Sequence, residues 1–476
     1  MSTTTRTSET TGDAAPAGVE ATDAEVAATA RASGDRRPRL SVVGTGYLGA
    51  THAAAMAELG FEVVGVDVDP AKVAALSAGK VPFYEPGLPE LLLRGVESGR
   101  LRFTTDLAEA AAFADVHFVC VGTPQRPGSN GADLRYVEAA FEGLARHLTH
   151  DALLVGKSTV PVGTAARMAQ RVSETAPAGL RVELAWNPEF LREGKAVEDT
   201  LRPDRVVVGG TSAWGEDLLR QVYASSVEAG TPFITTDLPT AELVKVSANA
   251  FLATKISFIN AIAQVCDKAG ADVTQLADAL GHDVRIGRGF LNAGLGFGGG
   301  CLPKDIRALM HRAGELGADS LVAFMQDVDE INMRQRQRVI DMAVQTCGGS
   351  VLNRRVGVLG AAFKPDTDDV RDSPALNVAA GLHLRGAQVL VYDPEAGETS
   401  RRIFPSLGYA TSTEEAVADA DVVLVLTEWP HFRGADPVAL AGLAAARPTV
   451  IDARNCLPAQ AWRDAGWTYR GLGTSS

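Results

Sequence analysis

Cysteine is scarce. Only five occur in 476 residues: Cys120, Cys266, Cys301, Cys347 and Cys456. Their number is odd, and no CxxC pair or HxxxH spacing accompanies them. This argues against a disulfide framework and against a metal site, and for a reducing cytoplasm. Basic charge is also short: 45 Lys and Arg against 58 Asp and Glu leave a net charge of -13. That balance disfavours nucleic acid or an anionic membrane surface as the main partner. It leaves room for an anionic small molecule, which needs positive charge only locally. No run of about 18 or more apolar residues is found, so no membrane span is expected. The first 37 residues are rich in Thr, Ala, Ser and Glu and lack the apolar core of a signal peptide, so they read as a disordered tail.

What is present is alternation. The chain is too long for one core, and two or three domains are expected. The stretch RLSVVGTGYLGATHAAAMAELGFEVVGVDVDP (39–70) reads strand, glycine turn, helix, strand. Apolar runs at 114–124, 151–164, 182–190 and 204–210 read as further buried strands ending in loops. Such alternation implies a parallel sheet covered on both faces. From 240 to about 281 apolar residues recur at helical spacing, with no Pro or Gly before Gly270, which reads as one long helix. Helices are expected at 304–317 and 321–346, and strands return from 354 onward. The expected fold is α/β: two Rossmann-like, doubly wound parallel-sheet domains joined by a long central helix and a helical middle domain. The boundaries read as a tail at 1–37, a dinucleotide-binding domain at 38–215, a helical domain at 216–345 and a second α/β domain at 346–476. The second half lacks a GxGxxG, which assigns it a different ligand.

The turn GTGYLG places Gly44, Gly46 and Gly49 between strand and helix. Gly44 allows the tight turn, Gly46 admits a pyrophosphate to the helix N-terminus, and Gly49 permits close helix–strand packing. Alone the pattern is weak. Here Asp67 ends the next strand, 18 residues after Gly49, where a carboxylate can bind ribose hydroxyls and repel a 2′-phosphate. NAD is therefore favoured over NADP. Lys72 either runs along the adenosine or is a solvated lysine. Thr123 and Thr159 follow predicted strands, where ligands of open α/β sheets sit, although isolated threonines are more often turn residues. Glu189 and Glu193 are four apart and on a helical turn would share a face, as a paired-carboxylate base would require. By themselves they favour a solvated acidic turn. Lys245 and Asn249, also four apart, project from an otherwise apolar helix, where an ammonium can stabilise an oxyanion. The plainer alternative is a lysine at the edge of the core. Cys301 follows three glycines and precedes Leu302-Pro303-Lys304-Asp305. Proline at a first helical turn places this thiol near a helix N-terminus beside Lys304, where a thiolate is favoured. Cys266 and Cys120 read as core packing.

Together GTGYLG, KSTVPVGT, NPEFLREG, ELVKVSANAF, GFGGGCLPKD and FKPDTDDVRDSP, in this order, resemble the UDP-glucose/GDP-mannose dehydrogenase family from about residue 40 to 455. The resemblance implies four-electron oxidation of the C6 alcohol of a nucleotide sugar to a carboxylate by two NAD. UDP-glucose is the favoured substrate, with GDP-mannose or a UDP-N-acetylhexosamine as alternatives. It implies Cys301 as nucleophile and Lys245 as oxyanion stabiliser with Asn249 beside it. Asp305 and Thr159 would position water, and Glu189 would be the base for thioester hydrolysis. Cofactor contacts implied are Gly44, Gly46, Tyr47, Leu48, Gly49, Asp67, Lys72, Thr123, Glu193, Lys304 and Arg371. Substrate contacts implied are Phe190, Leu191, Phe290, Gly296, Gly298, Lys364 and Arg454. Arg285 would reach a neighbouring subunit's substrate, which implies a dimer built on the long helix. One departure stands out: the family's usual serine before the cysteine is Gly300 here. Two rivals are weighed against this reading. A two-electron hydroxy-acid dehydrogenase would not need Cys301, and a non-catalytic NAD or nucleotide-sugar sensor would bind without turnover.

Overall fold

The computed structural model describes residues 36–445 and 448–474; the tail expected over 1–37 lies, but for its last two residues, outside the described residues. The first sheet comprises β1 (Leu40–Val43), β2 (Val63–Val66), β3 (Leu101–Thr104), β4 (Val116–Val119), β5 (Ala152–Gly156), β6 (Val182–Trp186), β7 (Val206–Gly209) and β8 (Phe233–Thr236). Its order is β3-β2-β1-β4-β5-β6-β7-β8. All neighbours run parallel except β6 and β7, which meet antiparallel at Trp186 and Gly209. Strands β1, β2, β4, β5 and β7 are buried along their whole length, which is why their sequences are nearly all apolar; the exceptions, Ser41 and His117, hydrogen-bond each other at 2.7 Å. Because β8 belongs to this sheet, the expected boundary at 215 falls inside the unit that it was meant to close.

A second sheet, all parallel, contains β9 (Arg355–Leu359), β10 (Gln388–Tyr392), β11 (Gly408–Tyr409), β12 (Val422–Val425), β13 (Thr449–Asp452) and β14 (Thr468–Arg470), in the order β11-β10-β9-β12-β13-β14. In both sheets strand order reverses beside the first strand. That switch point leaves a crevice at the carboxyl ends of the strands.

Helix α1 (Tyr47–Glu58) follows the glycine turn, and Gly49 with five alanines among its nine buried residues lets it lie close on the first sheet. The expected single helix over 240–281 is two: α2 (Leu238–Ala269) and α3 (Val273–Gly281). Gly270, at φ +71°, ends α2 in the left-handed conformation, and Asp272 then caps α3 by accepting from the Thr274 and Gln275 N–H groups. Two further helices, α4 (Leu302–Glu315) and α5 (Asp319–Thr346), pack on α2 through Val246, Ala250, Ala253, Ile306, Met325 and Val328.

By length and composition α2 could cross a membrane. Here it is a core helix, with Glu242, Lys245, Asn249 and Asn260 buried along it. Glu242 accepts from Gly163 N–H at 2.7 Å and Ala165 N–H at 2.6 Å, fixing the start of the helix Thr164–Thr175 onto α2. Removing that carboxylate strands both donors, at about 1–3 kcal/mol for each one left unsatisfied. Glu242→Ala should therefore lower the thermal midpoint by several degrees in a melting experiment. An unchanged midpoint would show that water takes over both bonds.

Candidate active site

The glycine turn has one open face. Gly44 sits at φ +90°, and a Cβ there would meet Val121 backbone at 2.8 Å. A Cβ on Gly49 would lie 1.8 Å from the Gly44 carbonyl oxygen, so both positions are closed to larger residues. A Cβ on Gly46 would meet nothing within 4 Å, and the N-terminus of α1 behind it has no side-chain cap. Free N–H groups on an open turn suit a pyrophosphate. Asp67 Oδ2 accepts from Thr45 N–H at 2.9 Å and Thr45 Oγ1 at 3.0 Å, and pairs with Lys72 Nζ at 2.9 Å. Burial pushes this carboxyl up, but Lys72, Asp69 N–H and Thr45 outweigh it and hold it below the usual range. Lys72 thus meets the charge of Asp67 beside the glycine turn. The Tyr47 hydroxyl donates to Glu85, and the partly buried Leu48 packs against the first-sheet core.

Helix α2 carries Lys245 and Asn249 inward, with 5% and 7% of their surface exposed. Lys245 Nζ lies 3.0 Å from Glu189 Oε1. Burial alone would strip its proton, but Glu189, Cys301 and Asp305 outweigh that and raise its pKa, so it remains an ammonium. Asn249 Nδ2 donates to Asp305 Oδ2 at 2.7 Å, and Lys304 Nζ pairs with Asp305 Oδ1 at 3.2 Å. Lys304 also donates to Thr123 Oγ1 at 3.3 Å, and Thr123 donates to the Thr159 carbonyl at 2.8 Å. Thr123, Thr159, Lys304 and Asp305 line one small cavity, which joins the end of the first sheet to α4.

Cys301 caps α4 and opens on a cleft of ≈ 370 Å³, whose walls include Lys245, Asn249, Glu193, Phe290, Lys364 and Arg454. The surroundings of the thiol oppose the expected thiolate. The thiol is pushed up to about 12, first by the surrounding protein and then by Glu189, Asp305 and Glu193, with Lys245 opposing. Since the residue is exposed to the cleft, the burial contribution holds in full only when the cleft is closed to water, whereas the carboxylates act in either state. Lys304 does not rescue the thiolate because its ammonium is turned to Asp305 and Thr123.

Glu189 and Glu193 do not share a helical face. Residues 187–192 form an irregular loop, started by Pro188 and ended at Gly194 with φ +78°. Glu189 faces Lys245 and also accepts from Leu191 N–H at 2.5 Å. Glu193 turns the other way, 3.3 Å from Arg371 Nη2, and its Oε2 is buried without a partner. Burial, then Asp369, raise its pKa, with Arg371 and Lys364 opposing. Lys364 also donates to the Glu193 carbonyl.

The glycine run before Cys301 is threaded between α5 and the loop 360–373. A Cβ on Gly296 would lie 2.2 Å from Asn332 Oδ1, and one on Gly298 2.3 Å from the Asp372 carbonyl. At Gly300 a Cβ would lie 2.3 Å from the Arg371 guanidinium carbon, so this arginine fills the space that a side chain at 300 would take. Phe290, at φ +65°, and Leu191 line the cleft. Phe190 lies beside it, under the Arg205 guanidinium at 3.9 Å and 5.8 Å from Lys245 Nζ. Arg454 is a wall of the cleft, but its donors are used on the Leu426, Gly296 and Phe363 carbonyls at 2.8–3.1 Å. Arg285 stands apart, exposed and paired with Asp283 at 2.6 Å, outside this chain's cleft.

Sequence reasoning missed two buried groups. Lys157, inside KSTVPVGT, donates to Asn187 Oδ1 at 3.0 Å and Tyr223 Oη at 3.2 Å behind the loop that bears Glu189. Glu85 is 2% exposed and holds the end of that loop. Neither lies in a periodic segment, and their partners are remote in sequence. A charged residue in an apolar stretch was the one available signal, for Lys157.

An open glycine turn at the end of a doubly wound sheet, with a thiol, an ammonium and carboxylates gathered at a cleft, marks an oxidoreductase that uses a nicotinamide cofactor. The chain belongs to the UDP-glucose/GDP-mannose dehydrogenase family: its NAD-binding, central and UDP-binding domain models match residues 38–227, 239–334 and 357–459. The cofactor is NAD. A UDP-glucose 6-dehydrogenase of Rhizobium meliloti (strain 1021) is 41% identical over 437 residues, 91% of this chain and 99% of that protein. The UDP-glucose 6-dehydrogenase TuaD of Bacillus subtilis (strain 168) is 41% identical over 436 residues, 91% of this chain and 93% of that protein. Among solved structures, a UDP-glucose dehydrogenase from the archaeon Pyrobaculum islandicum superposes with a TM-score of 0.85 at 39% identity, covering 93% of this chain and 99% of that one.

The carboxylates around Cys301 hold its thiol above the ordinary range even where the cleft is open to water. In the ligand-free protein, iodoacetamide should therefore label Cys301 more slowly than a free cysteine, with a rate still rising between pH 8 and 10. Peptide mapping of the labelled cysteine reads this out. A rate already flat above pH 7 would mean a resting thiolate.

Proposed function

We propose that this protein is a UDP-glucose 6-dehydrogenase that converts UDP-glucose, two NAD and water into UDP-glucuronate and two NADH in the reducing cytoplasm. One observation carries the reading: the Cys301 thiol, the Lys245–Glu189 ion pair and the Asn249–Asp305 hydrogen bond converge beside one cleft. The names of the relatives at 41% identity support the choice of sugar.

In this reading GTGYLG and Asp67 would hold NAD, which would supply the hydride acceptor for each oxidation. The chain's residues do the rest. Lys245 stabilises the alkoxide-like charge on the C6 oxygen, a role that needs its proton and its lack of water. Cys301 Sγ adds to the aldehyde carbon as its proton passes to a neighbouring carboxylate, and the product is a thiohemiacetal. Loss of hydride from that carbon gives a thioester. Water positioned by Asp305 and Thr159 attacks the carbonyl with Glu189 taking its proton; the carbon–sulfur bond breaks and the acid leaves. Covalent capture splits a difficult oxidation and retains the aldehyde. Phe190, Leu191, Phe290, Gly296, Gly298, Lys364 and Arg454 form the sugar-nucleotide side. Binding energy from the distant nucleotide orients C6.

The dimer belongs to the same proposal. Helix α2 exposes Phe251, Phe258 and Val265 at seven-residue spacing, 66%, 50% and 60% accessible. Such an apolar stripe on a helix suits a second copy of the chain. It would place Arg285 of one chain at the other's cleft.

Purified protein should release two NADH per sugar with UDP-glucose, and less with GDP-mannose or a UDP-N-acetylhexosamine. One NADH per sugar would favour a simple two-electron dehydrogenase instead. Cys301→Ala should abolish acid formation while keeping ligand binding, and normal turnover by it would refute the covalent route. Lys245→Met should cut kcat by about 10²–10³, the scale for one lost oxyanion donor, with binding changed little.

A further inference from the structure

Glu85 is a buried carboxylate that the proposed chemistry does not use. It lies in the loop between the helices Pro70–Ser77 and Leu88–Glu97. Among the described residues no Lys or Arg forms an ion pair with it; three hydrogen-bond donors meet its charge. Oε2 accepts from the Tyr47 hydroxyl and from Gly194 N–H at 2.6 Å, and Oε1 accepts from Ala196 N–H at 2.7 Å. Gly194 N–H also lies 3.0 Å from the Tyr47 oxygen. Tyr47 follows Gly46 directly in the cofactor turn. Gly194 and Ala196 close the loop that carries Glu189 and Glu193. The neighbouring Tyr84 N–H donates to Asp368 Oδ1 at 3.2 Å, and a Cβ on Gly194 would lie 2.6 Å from the Asp366 carbonyl oxygen. Three segments far apart in sequence therefore meet at one carboxylate.

We infer that Glu85 is a positioning residue that, through Tyr47 and the N–H groups of Gly194 and Ala196, holds the Glu189–Glu193 loop in register with the cofactor turn. Two buried N–H groups and a phenol share one acceptor, so losing it frees the loop end and the turn together. Tyr47 acts here by its hydroxyl on Glu85. Its ring packs separately on Phe83, with centroids 5.1 Å apart, and survives a change to Phe. The inference rests on the proposed roles of Glu189 and Glu193 for its kinetic consequence, but not for its structural one.

Two variants test it. Glu85→Gln keeps the shape but sets an NH₂ against N–H donors, and Tyr47→Phe deletes only the hydroxyl. In Glu85→Gln, amide hydrogen exchange in peptides spanning 190–197 should rise at least about tenfold. At saturating NAD and UDP-glucose, kcat should fall at least about tenfold, while the KM for NAD moves less than about threefold. Tyr47→Phe should shift both readouts in the same direction, by less. The double variant should lose little more than Glu85→Gln alone, because the two residues act as one unit. Unchanged exchange would overturn the inference, and so would an unchanged kcat. A loss confined to the KM for NAD would also overturn it, since that marks a direct cofactor contact. If Glu85→Gln does not fold, Tyr47→Phe decides by the same criteria. Should the wild type release no NADH from any nucleotide sugar, the proposed function fails, and the exchange measurement still decides whether Glu85 holds the loop.

Discussion

An ammonium group removed from water survives only where its charge is met, and the arrangement around Lys245 follows from that. The residue is fixed on α2, so its partners must come to it. Glu189 arrives on a loop from the end of β6, and its carboxylate stops 3.0 Å away. One turn further along α2, Asn249 reaches Asp305 on the first turn of α4, the helix that Cys301 caps. A single helix face thus sets the distance between the ammonium, the acid loop and the thiol. Breaking such a buried pair by removing one partner costs about 3–5 kcal/mol, which ties the chemistry to the packing.

The same cluster raises the pKa of the thiol. Glu189, Asp305 and Glu193 all act on Cys301, and Lys245 is already engaged by Glu189. Sequence proximity favours Lys304 as the activating cation, because it is three residues away on a helix start. In space that ammonium serves Asp305 and Thr123. Ionisation of a side chain is decided by the charges around it in three dimensions, and these come from residues up to about a hundred positions away.

What was legible in the sequence was what local pattern encodes. Nearly unbroken apolar runs gave the buried strands, small residues after GTGYLG gave a helix lying close on the sheet, and i,i+4 spacing put Lys245 and Asn249 on one face. The break at Gly270 was misread as a late glycine in a continuing helix, although Asp272 two residues later is a cap. The shared face assigned to Glu189 and Glu193 fails because Pro188 and Gly194 keep that segment out of a helix. Glu85 was invisible for a stronger reason. Its meaning lies wholly in who meets it, and Tyr47, Gly194 and Ala196 have no local relation to it in the chain.

The two sheets begin with the same local geometry and use it differently. Gly44 N–H bonds the Val66 carbonyl at 2.8 Å after β1, and Gly360 N–H bonds the Tyr392 carbonyl at 2.8 Å after β9. Asp67 and Asp393 each follow the next strand directly. Asp67, as deeply buried as Asp393 and also bonded on both oxygens, lies beside the short, open turn of Gly46, with α1 starting at Tyr47, so a ligand can approach the helix end. Asp393 is sealed: its oxygens accept from the N–H groups of Ala361, Ala362, Glu395 and Ala396 and from Trp429 Nε1, all at 2.7–3.1 Å. No acceptor faces a ribose there, and the following helix does not start until Pro374. The residues between have become the loop 360–373, which carries Lys364, Asp369 and Arg371 across to Glu193 on the first unit. The second sheet's turn is thus drawn out into an arm over the first sheet's site.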